Sequence, residues 1–138
     1  MKQFNLRVLG ADKVFYQGEA FSITVPLLDG KYGILADHQN MISTIIPGKL
    51  AFINAEQKEV VCAISNGFVK VEDNDVLICV EDIEVPEEID IKRAQADVDF
   101  AKDHIANKRS NADFKSAQAR LARAINRIKV KNDTKEIY

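Results

Sequence analysis

Residues 83–91 read IEVPEEIDI, and the architecture of the chain changes within this stretch. Pro86 is the last of three prolines, and all six glycines come before it. Glycine and proline are the residues that most often form turns and end regular elements, so a chain that lacks both beyond one point changes its architecture there. We therefore predict a β-sandwich domain over residues 1–85 and a helical hairpin over residues 86–138.

The first module has the pattern of a strand-rich fold. Apolar and polar residues alternate with period two, as in half-buried strands. Turn residues, Gly18 among them, separate these stretches, and short strands with frequent turns predict a β-sandwich or flattened barrel of about ten strands. The predicted strands are residues 4–8, 14–16, 21–25, 31–35, 41–46, 49–54, 59–65, 68–72 and 76–81.

The second module contains two helical patterns, in which apolar residues recur at intervals of three and four. Two such helices joined by residues 108–111 predict an antiparallel αα-hairpin. Alanine takes two positions in each apolar face, and small side chains bury little area at ~25 cal/mol per Å². We therefore expect a marginal hairpin that a ligand or partner can open or close. The two faces are Ile91, Ala94, Val98, Ala101 and Ile105, and Phe114, Ala117, Leu121, Ala124 and Ile128.

The helix ends also have sequence signals. Pro86 suits the first turn of a helix, where its missing N–H is not needed. Acidic residues after it would lie near the positive end of the helix dipole. The first helix is expected to end near Asn107, and Ser110 is the expected N-cap of the second, with Asp113 in a partial capping box. The acidic residues are Glu87, Glu88 and Asp90.

A charged stripe runs beside each apolar face, one residue before it in sequence. One residue is about 100° around a helix, so in an antiparallel hairpin both stripes lie on the same side. Two interpretations remain open, an anion site of three arginines or a ladder of surface salt bridges that contributes little. The anion site would use Arg93, Arg123 and Arg127, and the ladder would pair Asp90 with Arg127 and Asp97 with Arg120 or Arg123.

Charge and composition limit the function classes. Residues 108–138 carry 9 basic and 3 acidic side chains, net +6, which suits nucleic acid, an acidic protein or a phosphorylated ligand. Residues 115–137 contain no aromatic residue to stack on bases, which disfavours nucleic acid. There is no phosphate-binding loop, and His38 and His104 fall in different modules, so neither an enzyme nor a metal site is expected.

Cysteine use and hydropathy indicate the compartment. Cys62 and Cys79 lie in apolar runs and are expected to be buried free thiols. The N-terminus lacks the apolar stretch of a signal peptide, and no run approaches the ~18 apolar residues of a membrane span. We expect a cytosolic protein that meets membranes through partners. His104 is expected to be a solvated helix residue.

Four motifs, in order along nearly the whole chain, resemble the epsilon subunit of bacterial F-type ATP synthases. Residues 30–38, GKYGILADH, are similar to a family signature that has Pro-Gly where this chain has Ala36 and Asp37. Residues 65–71, SNGFVKV, are similar to a second signature, with Asn66 in place of a glycine. Residues 89–94, IDIKRA, resemble the family's ATP-binding motif, and residues 121–128, LARAINRI, its basic second helix.

The resemblance implies a non-catalytic subunit of the central stalk, peripheral at the cytoplasmic face of the bacterial cell membrane and not inserted in it. Its sandwich would dock on the gamma subunit and the ring of c subunits. Its hairpin, when extended, would contact the alpha and beta subunits and block ATP hydrolysis. No cofactor is required, and ATP is implied as a regulatory ligand of the folded hairpin.

The resemblance also implies site residues. ATP contacts are expected from Ile89, Asp90, Arg93, Ala94, Arg123 and Arg127, and partner contacts from Tyr32, His38 and Arg120. The alternative function is a free-standing β-sandwich binding module whose basic helix contacts nucleic acid.

Overall fold

The computed structural model describes the backbone of residues 2–106 and 111–137 and the side chains of residues 2–103 and 115–132. The chain divides into two compact units, Met1–Glu84 and Val85–Tyr138. Over the described residues, nine strands form the first unit, and a 3-10 turn and two α-helices form the second. They are β1 (Phe4–Leu9), β2 (Val14–Leu27), β3 (Gly30–Leu35), β4 (Met41–Ile45), β5 (Gly48–Asn54), β6 (Glu59–Ile64), β7 (Gly67–Glu72), β8 (Asp75–Val80), β9 (Ile83–Glu84), the 3-10 turn (Pro86–Glu88), α1 (Ile91–Ala106) and α2 (Asn111–Ile137).

The strands follow the order β1-β8-β7-β4-β2-β5-β6-β9, and β3 pairs with β2. The pairing of β1 with β2 closes five of them into a ring. Neighbours pair antiparallel, apart from the parallel pair β1–β8. Alternate residues point inward, so Phe4, Leu6 and Val8 of β1 are fully buried. The predicted β-sandwich is confirmed.

Strand β2 corrects the prediction that Gly18 forms a turn between two short strands. The strand runs unbroken for 14 residues through Gly18, which pairs with Leu6 of β1. The Tyr16 hydroxyl covers this position, 3.2 Å from where a Gly18 Cβ would be, and donates a hydrogen bond of 2.6 Å to the Glu19 carbonyl. The glycine therefore makes room for a tyrosine. β2 pairs with β5 over its middle and meets β4 at Leu27, so it belongs to both layers.

The start of the hairpin differs from the prediction. Pro86 begins a 3-10 turn that ends at Glu88, so Glu87 and Glu88 belong to this turn and not to the first turn of α1. α1 begins at Ile91, and Asp90 is its N-cap, because its carboxylate accepts the backbone N–H of Arg93 at 3.2 Å.

The alanine-rich contact between the helices is present. The four predicted alanines are buried, as is Val98, whereas Ile91 is half-buried. The predictions for Asn107, Ser110 and the side chains of His104, Ile105, Asp113 and Phe114 lie outside the described residues. The alanines are Ala94, Ala101, Ala117 and Ala124.

Candidate functional site

The first residues of the candidate ATP motif have clear local roles at the start of α1. Ile89 is 3% exposed and Ala94 is fully buried, so both side chains are packed away from solvent. Asp90 caps the helix through its side chain, and its carbonyl accepts the N–H of Ala94 at 3.0 Å. These contacts explain an Ile-Asp-x-x-x-Ala pattern by folding alone.

Asp97 of α1 holds two arginines of α2. Its Oδ1 accepts a hydrogen bond from Arg120 Nη2 at 2.7 Å, and its Oδ2 lies 3.8 Å from Arg127 Nη1. The Asp97 side chain is 26% exposed and that of Arg127 is 20% exposed. The predicted pair of Asp97 with Arg120 is confirmed, and Arg127 also meets Asp97.

Arg120 makes a second contact that the charge pattern did not predict. Its guanidinium carbon lies 4.4 Å above the centre of the Phe100 ring, within the range of a cation–π interaction. Phe100 is 46% exposed although it is a large apolar residue. Phe100 is three residues after Asp97, which places the two on one face of α1, and this spacing is the signal that could have found the contact.

Arg93 and Arg123 differ from these two arginines. Among the side chains that the structure describes, none forms an ion pair or hydrogen bond with either guanidinium, and Arg93 is exposed. Arg123 is half-buried and lies in sequence between Arg120 and Arg127. Within the described part of the chain, the face thus combines two arginines that lie beside a carboxylate and two that do not.

An anion with several oxygens fits this face chemically. Guanidinium groups form charge-assisted, often bidentate hydrogen bonds with phosphate and carboxylate oxygens. An anion at Arg127 would compete with Asp97, because both would bind the same guanidinium. The salt-bridge ladder and the predicted anion site would therefore use the same guanidinium and exclude each other there.

A contact at the far end of α2 was missed by the sequence pattern. Val130 is 1% exposed although it lies outside the predicted apolar face. Lys131 donates a hydrogen bond of 2.7 Å to the carbonyl of Pro86, which is itself buried. The 3-10 turn is thus fixed to α2 within the helical unit. The sequence feature that could have indicated this contact is the apolar residue next to a lysine, Val130-Lys131.

The candidate partner-contact residues Tyr32 and His38 lie together in the sandwich unit. The Tyr32 hydroxyl lies 2.7 Å from His38 Nε2, and the two rings meet edge to face with centres 5.5 Å apart. His38 Nδ1 lies 2.7 Å from the carbonyl oxygen of Gln39, which can only accept, so Nδ1 carries a proton and donates. The histidine ring is thereby oriented from both sides.

The loop that holds His38 is fastened by polar contacts that the sequence did not predict. Asn74 accepts the Asp37 N–H at 2.7 Å and donates to the Gln3 carbonyl at 3.0 Å. The Lys2 ammonium forms a 2.7 Å salt bridge with Asp37, and this hydrogen bond raises the pKa of Lys2. Asp37 has φ of 61°, a left-handed conformation that aspartate tolerates and that explains why a glycine suits this position in the family signature.

Ser65 and the cysteines have structural environments. Ser65 is 3% exposed, and its hydroxyl accepts the Asp82 N–H at 2.8 Å. Burial raises the pKa of the Cys62 thiol to about 12. Cys79 is half-exposed, which corrects the prediction that both thiols are buried. Cys79 points outward from β8, in register with Phe68 of β7.

Across the described residues, no group of three or more histidine, cysteine, aspartate or glutamate side chains is arranged to hold a metal ion. None of the described helices is both long and apolar enough to cross a bilayer.

Family models match the chain in two consecutive pieces, and their limits follow the two units. Residues 3–86 match the ATP synthase, Delta/Epsilon chain, beta-sandwich domain, and residues 87–132 match the ATP synthase, Delta/Epsilon chain, long alpha-helix domain. The chain therefore belongs to the ATP synthase delta/epsilon chain family.

The curated relatives are more specific. The chain is 36% identical to the ATP synthase epsilon chain of Ruminiclostridium cellulolyticum, over 96% of this chain and 98% of the relative. It is 35% identical to the ATP synthase epsilon chain of Clostridium novyi, over 94% and 98%. Epsilon chains are non-catalytic, so the prediction of a non-catalytic ATP synthase subunit is confirmed. Family membership disfavours the alternative of a free-standing nucleic-acid-binding module.

Two solved structures share the fold. A chain of the Euglena gracilis mitochondrial ATP synthase, OSCP/F1/c-ring in rotational state 1, matches with a TM-score of 0.78 at 24% identity, over 90% of this chain and 78% of that chain. A chain of the Tetrahymena thermophila mitochondrial ATP synthase central stalk and c-ring matches with a TM-score of 0.73 at 19% identity, over 94% and 97%.

Proposed function

We propose that this chain is a rotor subunit of a bacterial F-type ATP synthase whose sandwich, Met1–Glu84, docks against the gamma subunit and the ring of c subunits. The complex lies at the cytoplasmic face of the cell membrane, and the docked sandwich helps to couple ring rotation to the catalytic head. The observation that supports this proposal is the match of both units to one family, along with a fold shared with a central stalk and c-ring structure.

Tyr32 and His38 are the proposed partner contacts on the sandwich. Their mutual hydrogen bond and the Asn74 contacts fix the loop after β3 in one conformation. A fixed loop loses little conformational entropy when it docks, which favours binding. Tyr32 is half-buried and His38 is exposed only in part, so a partner would meet the edge of this ring pair.

The helical unit regulates ATP hydrolysis in this proposal. When extended, its basic second helix, with Arg120 at the partner surface, contacts the alpha and beta subunits and blocks hydrolysis. ATP binds the closed hairpin through Arg93, Arg123 and Arg127 and holds it in the non-inhibitory state. Arg93 and Arg123 support this role because the described side chains offer them no counter-charge.

Co-purification tests the rotor assignment. The tagged full chain, expressed in place of the native subunit, is purified from detergent-solubilised membranes, and its partners are identified by mass spectrometry. We expect gamma, c, alpha and beta subunits in fixed ratio. Recovery of the chain without gamma and c subunits would contradict the assignment.

Calorimetry tests the nucleotide role. We expect ATP to bind the full chain and the double variant Arg123→Ala with Arg127→Ala to lose binding. Lys129→Ala is the matched control, since it removes an exposed positive charge from the same helix. At ligand near 100 times its dissociation constant, ATP would stabilise the closed hairpin by about 2.7 kcal/mol. Absence of heat at millimolar ATP in the unmodified chain would reject this role.

Truncation after Val85 tests inhibition. The complex with the truncated chain should hydrolyse ATP faster than the complex with the full chain, because the blocking helix is absent. Truncation must leave the gamma subunit bound, which co-purification checks. Unchanged hydrolysis in an intact complex would show that this hairpin does not inhibit.

A further inference from the structure

A single carboxylate of α1, that of Asp97, lies within ion-pair distance of two guanidinium groups of α2. Arg120 and Arg127 are seven residues apart, about 10.5 Å along a helix axis, yet both reach Asp97, at 2.7 and 3.8 Å. Arg120 is also held over the Phe100 ring. The closed hairpin thus contains a shared counter-ion for two arginines, and its ion pairs join one helix to the other.

We propose that Asp97 masks Arg120 and Arg127 while the hairpin is closed, and thereby sets how readily these two guanidinium groups become available to an acidic polypeptide segment. This inference rests on the proposed function in one respect, that the hairpin opens. It adds to that function the residue that sets how strongly the basic helix is withheld from its partner.

The charges of the helical unit favour this ligand. Residues 108–138 carry net +6, whereas residues 86–107 carry 3 basic and 6 acidic side chains, net −3. Three acidic side chains before α1 account for this negative charge, and α1 itself has three basic and three acidic side chains. Within this neutral helix, Asp97 makes the same guanidinium–carboxylate contact that an acidic partner would make. The Asp97–Arg120 pair is also accessible to a competing carboxylate, because the Arg120 side chain is 44% exposed.

Fluorescence anisotropy with a labelled poly-glutamate peptide tests the masking on the full chain, without ATP and without other subunits. Asp97→Asn should tighten peptide binding by about fivefold, the change in affinity that corresponds to the ~1 kcal/mol limit of a partly exposed ion pair. Asp99→Asn is the matched control, since it removes the same charge from the same helix at an exposed position whose contact is with Gln95 of α1. It should change binding by less than about twofold.

Two further variants separate masking from general loosening. Asp97→Glu retains the charge and should bind the peptide like the unmodified chain. The double variant Asp97→Asn with Arg120→Gln lacks one of the two masked guanidiniums and should bind the peptide more weakly than Asp97→Asn alone. Equal tightening by Asp97→Asn and Asp99→Asn would overturn the proposal. Tight binding that survives the addition of Arg120→Gln to Asp97→Asn would overturn it as well.

These outcomes are independent of the nucleotide role. If calorimetry finds no ATP binding but Asp97→Asn alone tightens the peptide complex, the masking stands and the ATP proposal fails. If ATP binds but Asp97→Asn and Asp99→Asn behave alike, the masking fails and the ATP proposal stands.

Discussion

Replacing Gly67 with alanine should destabilise the sandwich unit more than any other glycine-to-alanine change in a strand. A Cβ at Gly67 would lie 1.9 Å from the carbonyl oxygen of Cys79 and 2.7 Å from the Cα of Val80. Both are backbone atoms of β8, which pairs with β7 at this point. The obstacle is therefore the backbone of a neighbouring strand, which cannot make room by a rotamer change as a flexible side chain could.

The geometry sets the size of the effect. To reach an acceptable contact the two strands must separate locally by about 1 Å, and forcing an extra methyl group into a packed core costs typically 1–3 kcal/mol. Because backbone atoms block the position, we expect the upper end, ~3 kcal/mol. For a domain of 60–100 residues each 1 kcal/mol lowers Tm by about 4–8 °C, so the expected loss is roughly 12–24 °C.

Gly33→Ala is the matched control. Gly33 also lies in a strand, β3, but a Cβ there would meet no atom within 4 Å, and its φ is not positive. Alanine at a compatible glycine position usually stabilises by about 0.4–1 kcal/mol, through lower entropy of the unfolded chain. Thermal melting of the two full-length variants, followed by the β-sheet signal in circular dichroism, measures the difference. Equal melting temperatures would refute the steric reasoning.

Other positions give shorter tests. Cys79 should react with a thiol reagent in the folded chain, and Cys62 only after unfolding. Because burial raises the pKa of the Cys62 thiol to about 12, this group stays protonated in the folded chain but ionises above pH 9 in the unfolded chain. The free energy of unfolding should therefore fall from pH 9 to 12, and should fall less in Cys62→Ala. Asp90→Ala should cost the helical unit about 1 kcal/mol in urea melts, whereas Asp90→Ser keeps the cap and should cost less. Val130→Ala should cost it roughly 2 kcal/mol, measured by the helical signal, because a buried side chain is shortened.

The strands could be predicted largely because their signals are local. Alternation and turn residues lie within the segment that they describe, and seven of the observed strands overlap one predicted range each, while β2 covers two. The prediction of a turn at Gly18 was wrong because this position is glycine to make room for the Tyr16 side chain above it. A glycine that forms a turn and a glycine that lies under a neighbouring side chain cannot be distinguished by sequence. β9 was missed because two residues, Ile83–Glu84, show no periodicity.

Which charges pair across the hairpin could be predicted only in part. The one-residue offset between stripe and apolar face placed Asp97 near Arg120, and this pair is present. The same reasoning predicted a pair between Asp90 and Arg127, but it did not predict that the Asp90 carboxylate caps α1. The periodicity of a helical sequence shows which residues share a face of the helix. Which of those residues becomes the N-cap depends on where the 3-10 turn ends and α1 begins.

The cap at Asp90 changes how the ATP motif should be tested. Ile89, Asp90 and Ala94 would be needed for a stable α1 whether or not a nucleotide binds, because they fill the core and satisfy a backbone N–H. Loss of ATP binding on their removal would therefore not separate a contact from a collapsed helix. Arg93 and Arg123 have no such structural role among the described contacts, so the nucleotide hypothesis depends on them. If the Arg93→Gln chain melts like the unmodified chain and binds ATP with the same affinity, the IDIKRA sequence serves to begin α1 and not to bind the nucleotide.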